Sequence, residues 1–588
     1  MNYNLNKYTE KDHKTSNYAA FKNLLQLISH ERKNLAVALL AILVNSTLNL
    51  LGPFLIGYTI DHYVQHKQFH GVLVFSGILL CMYLVALFTS FFQTKLMGGV
   101  GQSPLFPLRN AIFSKIQQLP VAFFNQNKAG DLISRVNNDT DKLNQFFSQS
   151  LMQFIGNIST MIGAGIFLLA INYKIGIAAL APAILILIFT RILSPWVKRK
   201  NAVNLKTVGG MSAEIQESLG NFKVIVAFNR RDYFRQRFNA ANTKNYKSAI
   251  GTGLANNIFL PFYAMCASFA QLLVLTGGIY LISQHEFSIG LLVSYLAYAT
   301  YFYNPLRQLA TLWANFQVAM AGWDRISEIL GMETDLVTIP GTAMHTPATA
   351  TLLEFRNVHF GYPEGKEILH NISLTLEKGK TYALVGPTGG GKTTTASLIA
   401  RLYDPTKGTV LLDGKDIRSY DAGERSQKIG FILQEPFLFT GTVKENILYG
   451  NPMYKDYSNE QLTAVIKEAN LEKLLAIFEN GLEAKVVSGG DGVSLVQKQL
   501  IAFMRAVLRK PDLLILDEAT ANIDTVTEQL LGEILEKLPA STTRVIIAHR
   551  LNTIENADEI FFVNSGEVTR AGSLQNAMEK LLHGVRVS

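Results

Sequence analysis

Six stretches without a single Asp, Glu, Lys or Arg divide the front of the chain: 34–60, 71–94, 143–173, 175–190, 248–285 and 287–306. A helix needs about 20 apolar residues to cross the hydrocarbon core of a bilayer. The shortest run, 175–190, continues apolar past Arg191 to Trp196. One or two such runs would suit buried helices of a large soluble protein. Six in succession predict a polytopic helical membrane domain. The first begins after more than thirty polar, mixed-charge residues, which argues against a cleaved signal peptide.

The intervening segments alternate in charge. Residues 61–70 hold Lys67 as their one Lys or Arg, the third and fourth runs are separated by Lys174, and the fifth and sixth by Gln284-His285-Glu286. The opposite side carries long basic segments: 95–142, and a loop with Lys198, Arg199, Lys200, Lys223, Arg230, Arg231, Arg235 and Arg237. Positive charge stays inside, so both termini and both long loops are expected to be cytoplasmic. Those loops have helical periodicity, so the spans are expected to continue into the cytoplasm as helices.

Near residue 330 the pattern changes. Residues 331–350 are rich in Thr, Ala, Gly and Pro without an apolar period, and read as a linker. Short β-type runs alternating with helical ones follow: LLEFRNVHF, ISLTLEKG, TYALVG, TVLLDG, KIGFILQ, LLILD, RVIIAH and EIFFV. This alternation predicts a soluble α/β nucleotide-binding domain. The expected organisation is a cytoplasmic segment 1–33 with an elbow helix, a membrane domain 34–330, a linker 331–352 and an ATPase domain 353–588.

Composition adds limits. With 588 residues, 48% apolar and 17% charged, the chain needs more than one core and is neither disordered, collagenous nor a disulfide scaffold. Its net charge of +9 is accounted for by the basic cytoplasmic loops and requires no nucleic acid. Cys81 and Cys266 lie inside apolar runs and read as small buried hydrophobes.

The chemistry concentrates after residue 380. Tyr382-Ala-Leu-Val385 reads as a buried strand; Gly386, Pro387, Thr388, Gly389, Gly390 and Gly391 follow, then Lys392, Thr393 and Thr394 open a helical run. This is a phosphate-binding loop in its strand–loop–helix setting. Glycines let backbone N–H groups turn around phosphates, and the helix N-terminus favours negative charge. Lys392 supplies a point charge for the β- and γ-phosphates, and the Thr393 hydroxyl reaches Mg²⁺. The apolar run Leu513-Leu-Ile-Leu516 ends in Asp517-Glu518, an acidic pair at the carboxyl end of a buried strand, where ligands of parallel sheets bind. Asp517 is expected to hold Mg²⁺ through water, and Glu518 to orient the attacking water as general base.

From these residues onward the sequence resembles the ATP-binding cassette (ABC) transporters, over residues 20–580. The likeness is to an exporter-type half-transporter, with six transmembrane helices followed by one α/β P-loop ATPase domain. It implies further roles. Tyr362 in FGYPEG matches the adenine-stacking position, and Gln434 matches the glutamine loop linking the Mg²⁺ site to the membrane domain. Asp524, in ATANID, matches the loop contacting the partner domain, and His549 the histidine switch at the γ-phosphate. Residues 123–143 and 214–238 resemble the two cytoplasmic coupling segments, with movement expected around 130–135 and 220–228.

The resemblance has two departures. Alignment through QKQLIAFMRA and LLILDE puts the signature motif at Val493-Ser494-Leu495-Val496-Gln497, with SGGDG at 488–492 a loop ahead of it. Ser494 and Gln497 then fall at nucleotide-contacting positions, while Val496 replaces the second signature glycine. A β-branched side chain there is expected to weaken the closed, ATP-sandwiched state. Pro104 and Pro107 fall where the family continues a long helix, and predict a tolerated kink or a destabilised or functionally altered variant.

The expected activity is ATP-driven export or flipping of a lipid-like, drug-like or peptide substrate, with ATP and Mg²⁺ as cofactors. It requires a homodimer or heterodimer of half-transporters in a bacterial inner membrane. The alternative is an ATP-binding channel or regulatory subunit with little turnover.

Overall fold

The computed structural model describes residues 3–5, 31–333, 336, 338–340, 350–362, 365–487, 493–517, 525–547, 556–572 and 574–583. The expected elbow helix of the N-terminal segment falls outside them. The chain divides into two units, one formed by residues 12–117 and 130–331, the other by 332–588 with 118–129 and the chain start.

The membrane unit is helical throughout. Its helices are α1 (Arg32–Thr59), α2 (Phe69–Gln102) and α3 (Leu105–Gln118). The short α4 (Val121–Gln126) groups with the other unit, and α5 (Ala129–Ile171) returns toward the membrane. Then come α6 (Tyr173–Gly220), α7 (Phe222–Ala227), α8 (Arg231–Asn257), α9 (Phe259–Ser283) and α10 (Ile289–Gly331). The 48 residues of α6 span about 72 Å, more than twice a ~30 Å hydrocarbon core, so the long basic segments are continuations of the spans. At their far end, the Arg237 guanidinium on α8 donates to Glu214 (2.8 Å) and Glu217 (3.1 Å) on α6.

Among the described residues, five helices are long and apolar enough to cross a membrane, beginning at Arg32, Phe69, Ala129, Tyr173 and Arg231. The sixth predicted run forms α10, whose apolar character is diluted by tyrosines. Three of these are buried and donate to backbone carbonyls of three other helices: Tyr295 to Leu168 (2.7 Å), Tyr298 to Leu50 (2.7 Å) and Tyr303 to Ala179 (2.8 Å). Polar groups satisfied inside the bundle face no lipid. The two helices α1 and α10 cross at Gly57 and Gly290, where a Cβ on either glycine would collide with the other's backbone oxygen. Beside this crossing, the Gly290 N–H and the Ser288 hydroxyl both donate to the Asp61 carboxylate.

One expectation needs revision, and another takes a definite form. Pro104 and Pro107 lie at a two-residue interruption of the span Phe69–Gln118: α2 stops at Gln102 and α3 starts at Leu105, leaving Pro107 in its first turn, where a missing N–H costs little. Cys266 is buried, but Cys81 is exposed. On a membrane-spanning helix an apolar run can face outward, so the run around Cys81 did not imply burial within the protein.

The ATPase unit has a four-stranded antiparallel sheet, order β2-β1-β4-β5, built from β1 (Thr351–Gly361), β2 (Glu367–Glu377), β4 (Lys407–Leu412) and β5 (Lys415–Asp416). Its six-stranded sheet has the order β12-β11-β3-β10-β9-β6. These strands are β3 (Thr381–Val385), β6 (Ile429–Ile432), β9 (Leu513–Asp517), β10 (Thr543–Ile547), β11 (Glu559–Asn564) and β12 (Glu567–Arg570). All pairs are parallel except β11–β12. The two-residue strands β7 (Gly441–Thr442) and β8 (Lys485–Val486) form a separate ribbon. Every residue of β3 and β9 is buried, as continuous apolar runs covered on both faces require.

Candidate functional site

The parallel strands bring the phosphate loop and the acidic strand end to one edge of the sheet. β3 runs into Gly386, and helix α11 (Lys392–Ile399) begins six residues later. Gly391 holds φ 113°, and a Cβ there would meet Leu369 Cδ2 at 2.7 Å. Gly386 holds φ 154°, and its Cβ would overlap the Val563 carbonyl oxygen. Both positions therefore require glycine on conformational and spatial grounds.

Lys392 is buried, its Nζ donating to the Gly386 carbonyl (2.8 Å) and the Pro387 carbonyl (3.0 Å). The ammonium thus lies inside the loop it opens, where phosphate oxygens would be bound. The Thr393 hydroxyl donates to Asp517 Oδ1 at 3.3 Å, although the two residues are 124 positions apart. Asp517 is 2% exposed and ends β9. A hydroxyl and a carboxylate this close form a hard-oxygen pair suited to Mg²⁺, which takes few protein ligands and completes its shell with phosphates and water. Among the described residues no group of three His, Cys, Asp or Glu makes a closed metal cage. Gln434 follows β6, whose neighbour is β9, and is exposed.

Tyr362 stands beside the start of α11. Its hydroxyl lies 3.4 Å from Thr394 Oγ1, and its ring packs edge-on against Tyr403, centroids 5.2 Å apart. Phe360 completes the cluster. Behind it, Asn125 on α4 donates to the Tyr403 hydroxyl at 2.7 Å. Burial pushes the Tyr403 phenol up, and the Asn125 hydrogen bond pulls it the other way. This places α4, from the first predicted coupling segment, one ring away from the predicted adenine-stacking residue. Tyr403 was missed from sequence because a Tyr after a helix carries no motif of its own.

The signature segment is helical from its third residue. Helix α12 (Leu495–Val507) is capped by Ser494, whose hydroxyl accepts from the Gln497 N–H (3.2 Å), while the Gln497 side chain accepts from the Ser494 N–H (2.9 Å). This reciprocal capping box occupies the two side chains expected to contact nucleotide. Val496 is partly buried and packs against the core, whereas Leu495 is 43% exposed. Leu495, in place of the first signature glycine, is therefore the side chain that projects. The alignment that singled out Val496 already contained this signal. Glu518, Asp524, His549 and the SGGDG loop at 488–492 lie outside the described residues.

Residues 35–306 match the family described as ABC transporter transmembrane region, and residues 369–521 the family described as ABC transporter. The chain is 34% identical to the uncharacterized ABC transporter ATP-binding protein YfiC of Bacillus subtilis, over 92% of this chain and 89% of the relative. It is 30% identical to a fatty acid ABC transporter ATP-binding/permease protein of Mycobacterium bovis, covering 87% and 80%. It is 29% identical to an ATP-dependent lipid A-core flippase of Syntrophus aciditrophicus, covering 95% and 92%. A membrane region of apolar helices joined to a sheet edge that assembles Lys392, Thr393 and Asp517 thus places the chain in the ABC transporter family, as an exporter whose ATP hydrolysis is coupled to transport.

Proposed function

We propose that this chain assembles with a second half-transporter, identical or different, and moves an amphipathic lipid, drug or peptide across a bacterial inner membrane, with its ATPase unit in the cytoplasm. The membrane domain is assigned to 34–330, the linker to 331–352 and the ATPase domain to 353–588.

The observation that carries this reading is the pairing of Thr393 with Asp517 beside a buried Lys392, in a chain whose other unit is made of apolar helices. Lys392 and the loop N–H groups bind the β- and γ-phosphates. Thr393, Asp517 and Gln434 would hold Mg²⁺, which when bound neutralises charge developing on the phosphate oxygens. Glu518 orients the attacking water, His549 contacts the γ-phosphate, and Asp524 faces the partner domain. Tyr362 stacks on adenine.

An amphipathic substrate is supported by the scarcity of ionisable groups in the spans and by the printed activities of the fatty acid and lipid A-core relatives. An open groove of about 880 Å³ on α1 and α2 has matching chemistry, pairing Asn45, Asn49 and Ser90 with Tyr83, Phe88 and Phe91.

The test is ATP hydrolysis by reconstituted protein, alone and with a candidate second half-transporter, with and without added lipid or drug. Stimulation by a substrate supports export; ATP binding with no stimulated turnover in any pairing contradicts it. Leu495 and Val496 at the signature glycines favour the second reading, an ATP-binding channel or regulatory subunit. That reading is rejected by ATP-dependent transport that disappears in Glu518→Gln.

A further inference from the structure

At the end of the membrane unit next to the chain crossings at 129–130 and 331–332, six charged side chains form a connected network that the nucleotide site does not use. Arg135 on α5 is 3% exposed; it donates through Nη1 to Glu328 Oε2 (2.6 Å) and to the Arg325 carbonyl (2.7 Å), and through Nε to Asp131 Oδ2 (3.1 Å). Arg325 on α10 reaches Asp131 Oδ1 (2.5 Å) and Asp139 Oδ2 (3.3 Å), and Lys142 closes the set on Asp139 Oδ1 (2.8 Å). Three cations thus face three carboxylates. Asp139 is fully buried.

The backbone is shaped to make these contacts. Residues Arg135–Asp139 form a π-helical turn inside α5 and are both buried at its ends. Such turns are found at functional positions, and the described residues hold two more, at Ile60–Val64 and Phe146–Ser150; this one carries the buried charges. On α10, Gly322 lets the two backbones approach: a Cβ there would lie 3.2 Å from the Asp139 carbonyl oxygen.

Stability alone does not account for the arrangement. Buried ion pairs seldom hold helices together better than apolar side chains of the same volume, and their best-attested use is to fix a register. The location is also particular. Two of the passages of the chain between its units, at residues 129–130 and 331–332, flank the cluster, which begins at Asp131 and ends at Glu328.

We propose that this cluster is a positioning clamp, with Arg135 at its centre, that makes residues 130–142 and 322–331 move as one body. Displacement of the ATPase unit then reaches the membrane helices in register through the two crossings at 129–130 and 331–332. Breaking the clamp uncouples hydrolysis from transport without touching the phosphate loop. The inference rests on the ATP-driven export reading.

The test uses full-length protein in proteoliposomes, in a Cys81→Ala/Cys266→Ala background. Transport is read with a nitrobenzoxadiazole-labelled phospholipid, a labelled fatty acid and a fluorescent amphipathic dye. Arg135→Ala and Glu328→Gln are expected to hydrolyse ATP within about twofold of the background, while molecules moved per ATP fall about tenfold. A covalent replacement separates this from misfolding. A Cβ on Gly322 lies 3.6 Å from Asp139 Cβ, within the range of a disulfide, about 3.5–4.5 Å. Gly322→Cys/Asp139→Cys is therefore expected to be uncoupled when reduced and to recover transport per ATP on oxidation.

Unchanged transport per ATP in the Arg135 and reduced double-cysteine variants overturns the clamp, even if their melting temperature falls. Loss of transport on oxidation also overturns it, because the junction then has to open during the cycle. If the background, with any second half-transporter present, moves none of the three probes, lipid and dye export is rejected, and the clamp is read another way. The tryptophans, Trp196, Trp313 and Trp323, all belong to the membrane unit. Their MgATP-induced fluorescence change should then persist in the oxidised protein and vanish in the reduced one; equal changes in both contradict the clamp.

Discussion

Lys392 illustrates how much one side chain can be asked to do. Buried against two loop carbonyls, its ammonium waits where phosphate oxygens bind, and no other part of the loop supplies a full positive charge there. Lys392→Ala removes a charge-assisted hydrogen bond of about 1.5–3 kcal/mol, and ATPase activity should fall by at least about tenfold with the fold intact. Steady-state kinetics beside a thermal melt checks both halves. Tyr403 makes a subtler case. Tyr403→Phe keeps the ring behind Tyr362 and should leave KM for ATP nearly unchanged. Tyr403→Ala removes an aromatic contact of about 0.5–1.5 kcal/mol and should raise KM about two- to tenfold. Equal KM values for the two variants would show that the ring does not support the adenine site. At this scale the sequence was informative wherever chemistry dictates residue type: glycines around phosphates, a lysine, a strand-end aspartate. It was silent on Tyr403, and it gave Arg135 only as the end of a coupling segment, without its ion partners, because both roles depend on residues far along the chain.

Helices and strands were legible where apolar periodicity is continuous. The buried strands β3 and β9 and the long helices lie where the runs predict them, because burial on both faces or immersion in lipid leaves only one type of side chain. Their junctions were less readable. The break between α2 and α3 turns two alarming prolines into an ordinary helix start, and the tyrosines of α10 are tolerable only because carbonyls on three other helices receive them. The α1–α10 crossing yields a stability test. Gly290→Ala places a methyl against the Gly57 carbonyl and Asp61, and overpacking of this kind costs about 1–3 kcal/mol. A melting temperature in detergent equal to wild type would contradict the crossing. The start of α12 yields a functional one. Leu495→Gly/Val496→Gly together should raise ATPase activity more than Val496→Gly, since Leu495 is the exposed side chain and Val496 contributes to the core. No gain from the double variant would mean that the signature is not what limits turnover.

For the whole molecule, the opening pattern already separates an oily front from a strand-rich back, and the structure divides the chain into two units along nearly the same line. The difference is instructive. Residues 118–129 group with the ATPase unit, and Asn125 touches Tyr403 there, a grouping that periodicity along the chain could not reveal. The net charge of +9 is read as an orientation signal only through the proposed topology, with the basic loops in the cytoplasm. What decides the account is whether the two units work as one machine. The direct measurement is MgATP-driven movement of labelled lipid or dye in proteoliposomes, comparing wild type with Glu518→Gln, with any second half-transporter present in both. The account expects ATP-dependent movement by wild type and its loss in Glu518→Gln, with ATP binding retained. Wild-type protein that hydrolyses ATP yet moves nothing, or movement that survives Glu518→Gln at full rate, would contradict it.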